Sequence, residues 1–387
     1  MKILMANALY PPDRTGSSIF TRQLEKTLIS KGHEVTVITS SVDPQFGDTP
    51  ADSAVRLPVR RLKVGRLAWN YSIPIVLSLK NWKRVRHLLR SKQPDVVVCH
   101  GQIFDLTWIT ALAARREEIP CHVVIHTAIW HERLPHRLTL RAIEAVVIKP
   151  ILRLARVSYV AVDKWTHDQT VNRLSKRSSI PVIPASVDVE SMKHGNPVLA
   201  RDKYKLGEDP LLLSLGHVIS LRNRVALVRA LPEILSSIPK LKLVIAGEVK
   251  DATFLEIADE LGVRSSIICL GSVPHDDIRH LLSASLIEAH DLQGLGLGIT
   301  TLEAMAAGVP VVAWASDDNY PGYSLRQHSG IAFIDDDRSA TIAQACLDLI
   351  GNPSKRARAI EAQQKLVLEM FTTEAVASKY LHLLSQR

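Results

Sequence analysis

Along most of the chain, short apolar runs with no helical period alternate with stretches whose apolar residues recur every three or four positions. "KILMANALY" reads as a buried strand and "PPDRTGSS" as a loop of turn formers. "SIFTRQLEKTLISKGH" reads as a helix with Ile19, Phe20, Leu24, Leu28 and Ile29 on one face. Gly32 stops that helix, and "EVTVITS" is the next strand. Such a unit opens a parallel sheet with helices on its faces. The alternation continues through "LSLKNWKRVRHLLRSK", a helix with Leu79, Trp82, Val85 and Leu89 facing inward. It then runs through "DVVVCH", "LTWITALAARREE", "CHVVIHT", "SYVAVD" and "SIPVIPASVD".

The register is lost in "VESMKHGNPVLARDKYKLGEDP", which predicts a linker. The pattern restarts with "LLLSLGHV", "VALVRALPEILSSIP", "KLVIAGE", "FLEIADELGV", "SIICLGSV", "HDDIRHLLSAS", "LIEAH", "VPVVAW" and "GIAFID". The expected class is α/β, with two Rossmann-like domains over 1–190 and 191–371 and a cleft at the carboxyl ends of their strands.

Composition excludes several alternatives. The chain has 387 residues and no uninterrupted apolar run long enough to span a bilayer. "MKILMANALYPPD" is a poor signal peptide and a good first strand. Cys99, Cys121, Cys269 and Cys346 are scattered, which argues against a zinc site or disulfide framework and points to a reducing cytoplasm. The net charge of +9 is concentrated: no Asp or Glu lies between Ala54 and Pro94, where Arg56, Lys80, Lys83, Arg84, Arg86 and Arg90 are among the cations. This stretch, residues 56–92, is expected to attract an anionic membrane surface. No nucleic-acid module accompanies the charge, so nucleic acid is not expected.

The segment "QGLGLGITTLEAM" joins glycines to the start of a helix, where unsatisfied N–H groups favour phosphate. Gly296 and Gly298 would let a diphosphate approach the backbone, with the amides of Ile299 and Thr300 as donors. Glu303, about one turn on, can accept hydrogen bonds from two hydroxyls, as of a ribose. "LSLGHVISLRNR" offers Arg222 and His217 to a phosphate, and the removal of Arg222 is expected to leave folding intact. Gly16, before the first helix, gives a close approach to the backbone. His126 ends a buried strand and is a candidate to stabilise or relay charge. His131 and His136 are expected on the surface, and no metal site is expected from the three.

Together these segments resemble the retaining glycosyltransferases of the GT-B fold in the large "group 1" family, family 4. The resemblance covers nearly the whole chain, and "LEAMAAGVPVV" is its most specific piece. It implies that Glu303 is the second glutamate of the family's E-x7-E motif and binds ribose. It also implies that Gly298 and the following amides cradle the diphosphate, and that His217 and Arg222 stand where the family has Arg and Lys. Gly16 matches the glycine of the family's N-terminal loop near the donor, and His126 a histidine at the sugar end of the cleft. The helix over 372–387 is expected to cross back onto the first domain. The family's first glutamate is here Leu295, and its Asn-Gly is Ala185-Ser186. Leucine has no group for sugar hydroxyls, and Asp291 or Gln293, just upstream, could supply a polar group in its place.

The function expected from these motifs is transfer of a sugar, with retention, from a nucleoside diphosphate sugar (UDP or GDP) to a lipid-linked or saccharide hydroxyl. His126, Arg222 and Glu303 are the candidate catalytic residues, with no cofactor and no metal. A degenerate, non-catalytic transferase-like partner and a sugar-nucleotide epimerase on the same fold are the alternatives.

Overall fold

The structure is a computed structural model that describes all residues except 14, 41–53, 64–71, 128, 132, 176–178, 295 and 387. Leu295 and Arg66 therefore lie outside the described residues. The chain divides into two compact units, Met1–Ala185 with Thr373–Arg387, and Ser186–Thr372.

The first unit is built on a parallel sheet of β1 (Lys2–Asn7), β2 (Glu34–Ser40), β3 (Val55–Leu57), β6 (Val96–His100), β7 (Cys121–Ile125) and β8 (Ser158–Ala161). A separate antiparallel pair joins β4 (Arg60–Lys63) to β5 (Ser72–Ile75). The sheet order is β3-β2-β1-β6-β7-β8. The chain first winds outward from β1 to β3, then restarts beside β1 with β6. Such a reversal leaves a crevice at the carboxyl ends of the two central strands. His100 ends β6, and Ala8 to Tyr10 follow β1. The helix Gly16–Ser30 opens on Thr15, whose side chain accepts the amide of Ser18. Phe20, Leu24 and Leu28 are buried on its inner face, whereas Ile29 is exposed. The last helix, Thr373–Ser385, packs against it within this unit.

The helix Leu79–Lys92 buries Val85 and Leu89 and half-buries Trp82. Leu79 does not face inward as the spacing predicts; it follows the N-cap Ser78 and is exposed. Asn81 takes the inner position, its Nδ2 donating to the carbonyls of Pro58 (2.8 Å) and Val76 (2.7 Å). Cys99 and Cys121, far apart in sequence, sit on adjacent strands with their sulfurs 3.9 Å apart as free thiols.

The second unit repeats the winding with β9 (Leu211–Leu215), β10 (Lys242–Ala246), β11 (Ile267–Gly271), β12 (Ile287–Ala289), β13 (Val311–Ala313) and β14 (Ala332–Phe333). Its order is β11-β10-β9-β12-β13-β14, all parallel. Alternate residues feed two apolar layers: Leu211, Leu213 and Leu215 one, Leu212 the other. Burial on both faces is why these strands read as unbroken apolar runs. The reversal here falls between β9 and β12, so the loops after these two strands are the ones placed to meet a ligand.

The predicted linker is instead structured. It holds helices Val189–Lys193 and Pro197–Tyr204, capped by Asp188 and Asn196. Val189, Met192, Ala200 and Leu206 pack into the second unit's core, and the amide of Val187 donates to Phe371 O at 2.8 Å. The apolar residues are too widely spaced to show a helical stripe, but enough of them are present to anchor two short helices.

Candidate functional site

In the second unit, the loop after β9 runs through Gly216 and His217 to a short 3₁₀ turn, Ser220–Arg222, before the helix Arg224–Ser237. The loop after β12 runs from His290 to Gly298, the N-cap of helix Ile299–Ala306. Gly296 has φ of 97°, a conformation that favours glycine.

A buried polar network joins the two loops. Arg224 is fully buried; its Nη2 donates to Leu215 O at 2.6 Å and its Nη1 to His290 O at 3.1 Å. Burial lowers its pKa to about 10. Glu288 and His290 are both buried, with His290 Nδ1 2.6 Å from Glu288 Oε1. His290 Nε2 lies 2.7 Å from Thr300 Oγ1. Asp291 Oδ2 accepts the Gly298 amide at 2.6 Å and the Thr301 hydroxyl at 2.7 Å, while Arg222 Nη1 donates to Asp291 Oδ1. Burial alone would raise the Asp291 carboxyl, but Arg222, His290 and the two donors outweigh it and hold the pKa at about 2.

These contacts change two expectations. Gly298 N–H is not a free cradle donor, because Asp291 accepts it as a cap of the helix start. Among the described residues no acceptor engages the amides of Ile299 and Thr300, which remain the donors at this terminus. Asp291 faces inward and is not presented to stand in for the family's first glutamate, while the half-buried Gln293 has its Nε2 3.5 Å from Ser220 O.

Arg222 keeps about a third of its side chain exposed beside these amides. His217 accepts the Glu248 amide at Nδ1, 3.3 Å away, and burial pushes its pKa down against the pull of Glu248. It is therefore neutral near pH 7 and offers a phosphate no charge there. Glu303 is buried one turn into the helix, with Oε1 2.7 Å from His275 Nε2 at the start of helix His275–Ser283.

Gly16 and His126 belong to the first unit. Gly16 is exposed at the first position of its helix. His126 follows β7, with its Nε2 2.9 Å from His100 Nδ1 and the two rings stacked at 5.2 Å. Phe20 meets both rings edge-on. Burial pushes the pKa of His126 down to about 4, so it offers a neutral ring and not a charge. His131 is buried, contrary to expectation: its Nδ1 accepts the Arg133 amide at 3.0 Å and its ring packs on His136. Of the basic stretch over 56–92, Arg86 and Arg90 are paired with Glu117, and Arg56 donates to Pro11 O.

Two family models match this chain: "Glycosyl transferases group 1" over residues 199–366, and "Glycosyltransferase Family 4" over residues 14–191. The chain belongs to the group 1 glycosyltransferases. A "GDP-mannose-dependent alpha-(1-6)-phosphatidylinositol monomannoside mannosyltransferase" of Mycolicibacterium smegmatis is 26% identical over 236 residues, 58% of this chain and 61% of that protein. The chain thus spans about three fifths of the length of the curated relatives it matches first. The "Phosphatidylinositol N-acetylglucosaminyltransferase GPI3 subunit" of Saccharomyces cerevisiae is 22% identical over 324 residues, 80% of this chain and 67% of that one. Among solved structures, Anabaena Alr3699/HepE in complex with UDP and glucose superposes with a TM-score of 0.74 at 15% identity, covering 100% of both chains. The architecture is the GT-B fold, two Rossmann-like units each with a six-stranded parallel sheet.

In this group 1 chain, Glu288, His290, Arg224 and His275 were not singled out from sequence. One signal was present: "LIEAHD" places Glu288 and His290 two apart in an apolar strand, so both project from one face where an apolar pair is expected. His275 and His100 carried no such signal.

Proposed function

We propose that this chain transfers a sugar from a nucleoside diphosphate sugar to an acceptor hydroxyl, with retention of anomeric configuration. The observation that carries the reading is the start of helix Ile299–Ala306. There two amides without a described acceptor stand beside the part-exposed Arg222, and a buried carboxylate follows one turn on. Helix amides and a guanidinium suit a diphosphate, and Glu303 suits the hydroxyls of a ribose. In the proposed step the bond from the sugar C1 to the diphosphate oxygen breaks while a bond to the acceptor oxygen forms on the same face. The acceptor proton passes to the departing phosphate oxygen. Arg222 and the amides stabilise the charge that develops there, His126 offers its neutral ring to the sugar, and neither a metal ion nor a cofactor takes part.

The names of the relatives support a GDP- or UDP-linked donor and a lipid-linked acceptor, here a lipid or saccharide in glycoconjugate synthesis. We place the chain in the cytoplasm, at the inner face of a membrane that presents the acceptor. The test is calorimetric titration of GDP and UDP into wild type and Glu303→Ala. Loss of the carboxylate should weaken the bound nucleotide about ten- to a hundredfold, and equal affinities would remove Glu303 from the site.

A second reading, a non-catalytic partner of another transferase, is favoured by one observation: Asp291 already engages both Arg222 and the Gly298 amide. Release of free nucleotide from a donor panel separates the two readings. An active transferase hydrolyses its donor slowly without acceptor, and a non-catalytic partner does not.

A further inference from the structure

In the first unit, the helical run from Leu134 to Leu154 packs poorly for an apolar segment. It comprises helix Leu134–Ile143, a π-helical turn Glu144–Ile148 and helix Lys149–Leu154. The first of these helices buries none of its residues. Leu134 is 54% exposed, Leu138 53%, Val146 74% and Leu154 71%. With Ile143 and Val147, the run holds six of the sixteen large apolar side chains exposed among the described residues. Apolar exposure concentrated in this way marks an interaction surface.

Apart from the buried Glu144, the charges on the run are of one sign. From Arg133 to Arg156 there are six cations, Arg133, Arg137, Arg141, Lys149, Arg153 and Arg156, and the one carboxylate is Glu144. Glu144 points inward, buried, with Oε2 3.3 Å from Arg173 Nη1. None of the six cations is ion-paired with a described residue. In the basic helix Leu79–Lys92, by contrast, Glu117 pairs both Arg86 and Arg90.

We propose that the run 134–154 is a docking surface for an anionic lipid bilayer. Its leucines and valines enter the boundary between headgroups and acyl chains, and its arginines meet the lipid phosphates. Nucleic acid would match the cations but not the exposed leucines and valines. A second copy of the chain is disfavoured by the charge, since a two-fold contact would set the same six cations face to face. The inference deepens the membrane part of the proposed function and rests on it for its purpose. The choice of 134–154 over 56–92 stands on exposure and pairing alone.

The test is flotation of the full chain with phosphatidylglycerol-containing or purely phosphatidylcholine vesicles at low salt. Wild type should float with the anionic vesicles only, and added salt should release it. L138Q/V146Q/L154Q should lower the bound fraction about tenfold or more. K80Q/K83Q/R84Q should stay within about twofold of wild type. Should the triple apolar variant lose its wild-type melting temperature, R137Q/R141Q/R153Q is the second probe, with the same expected loss.

If both run variants bind as wild type while K80Q/K83Q/R84Q detaches, this surface is wrong and the membrane reading survives. Failure of wild type to float, or equal flotation with neutral vesicles, overturns both. A wild-type dimer in sedimentation equilibrium that L138Q/V146Q/L154Q converts to monomer assigns the face to a second copy and also overturns the proposal. Nucleotide affinity in solution should be unchanged in every variant, whereas a wild type that floats but binds neither GDP nor UDP counts against the transferase reading only.

Discussion

His275 Nε2 lies 2.7 Å from Glu303 Oε1, so the carboxylate proposed to hold a ribose is already held by an imidazole from another helix. Burial alone would lower the pKa of His275, but the hydrogen bond and the charge of Glu303 outweigh it and raise the pKa above 6.5. The folded state therefore keeps a proton that the unfolded chain releases. The resulting stabilisation is fully present below pH 6.5 and is lost as pH rises through the higher folded value. A melting-temperature series across this range should fall in wild type and be flatter in His275→Gln. Identical profiles would show that the pair contributes nothing.

Arg222→Ala should reduce turnover about a hundred- to a thousandfold, the usual cost of losing a donor to a developing oxyanion. From sequence alone little effect on folding is expected. The ion pair with Asp291 changes this, because the buried carboxylate loses its cation. A stability loss of about 1–3 kcal/mol should appear in chemical denaturation, with Arg222→Lys recovering part of it.

Asp291 makes the second unit acid-sensitive. Its folded pKa of about 2 lies below the ordinary 3.8, so its contribution is present above 3.8 and is lost as pH falls toward 2. The depression corresponds to about 2 kcal/mol. Denaturant midpoints measured down this range should drop less steeply in Asp291→Asn, which starts from a lower stability near neutrality.

Gly298→Ala places a methyl 3.2 Å from Asp291 Oδ2, 3.3 Å from His290 Nε2 and 3.4 Å from Arg222 Nη1. Asp291 and His290 must give way by a few tenths of an ångström, with Arg222 at the edge of ordinary contact. Affinity for a nucleoside diphosphate should fall while affinity for the nucleoside changes little, as measured by titration calorimetry. Equal losses for both ligands would argue for a general distortion.

The alternation of strands and helices was legible because every central strand is covered on both faces and the helices read from the sequence each have one covered face, whereas helix Leu134–Ile143, which buries no residue, has no such face to read. Glu303, Arg222 and Gly298 were legible through their spacing from a glycine loop. The partners of those residues were not. Arg222 and Asp291 lie 69 positions apart, and His275 and Glu303 lie 28 apart. Sheet order brings the first pair together and the meeting of two helices the second, and local periodicity carries no trace of either. The helices over 189–204 were missed for a different reason: each is too short to show a stripe, and their caps fix the ends that periodicity marks elsewhere.

Phe20, in the first helix of the first unit, has Tyr380 as a ring neighbour at 6.1 Å. Everything from Ser186 to Thr372 is translated between them. On the ribosome the second unit, an unbroken stretch, can finish folding while the first still lacks the helix Thr373–Ser385 against which Gly16–Ser30 packs. The part of the chain made first is thus the last to be completed. Until synthesis reaches that helix, the face around Phe20 stays open to chaperones and to unwanted partners.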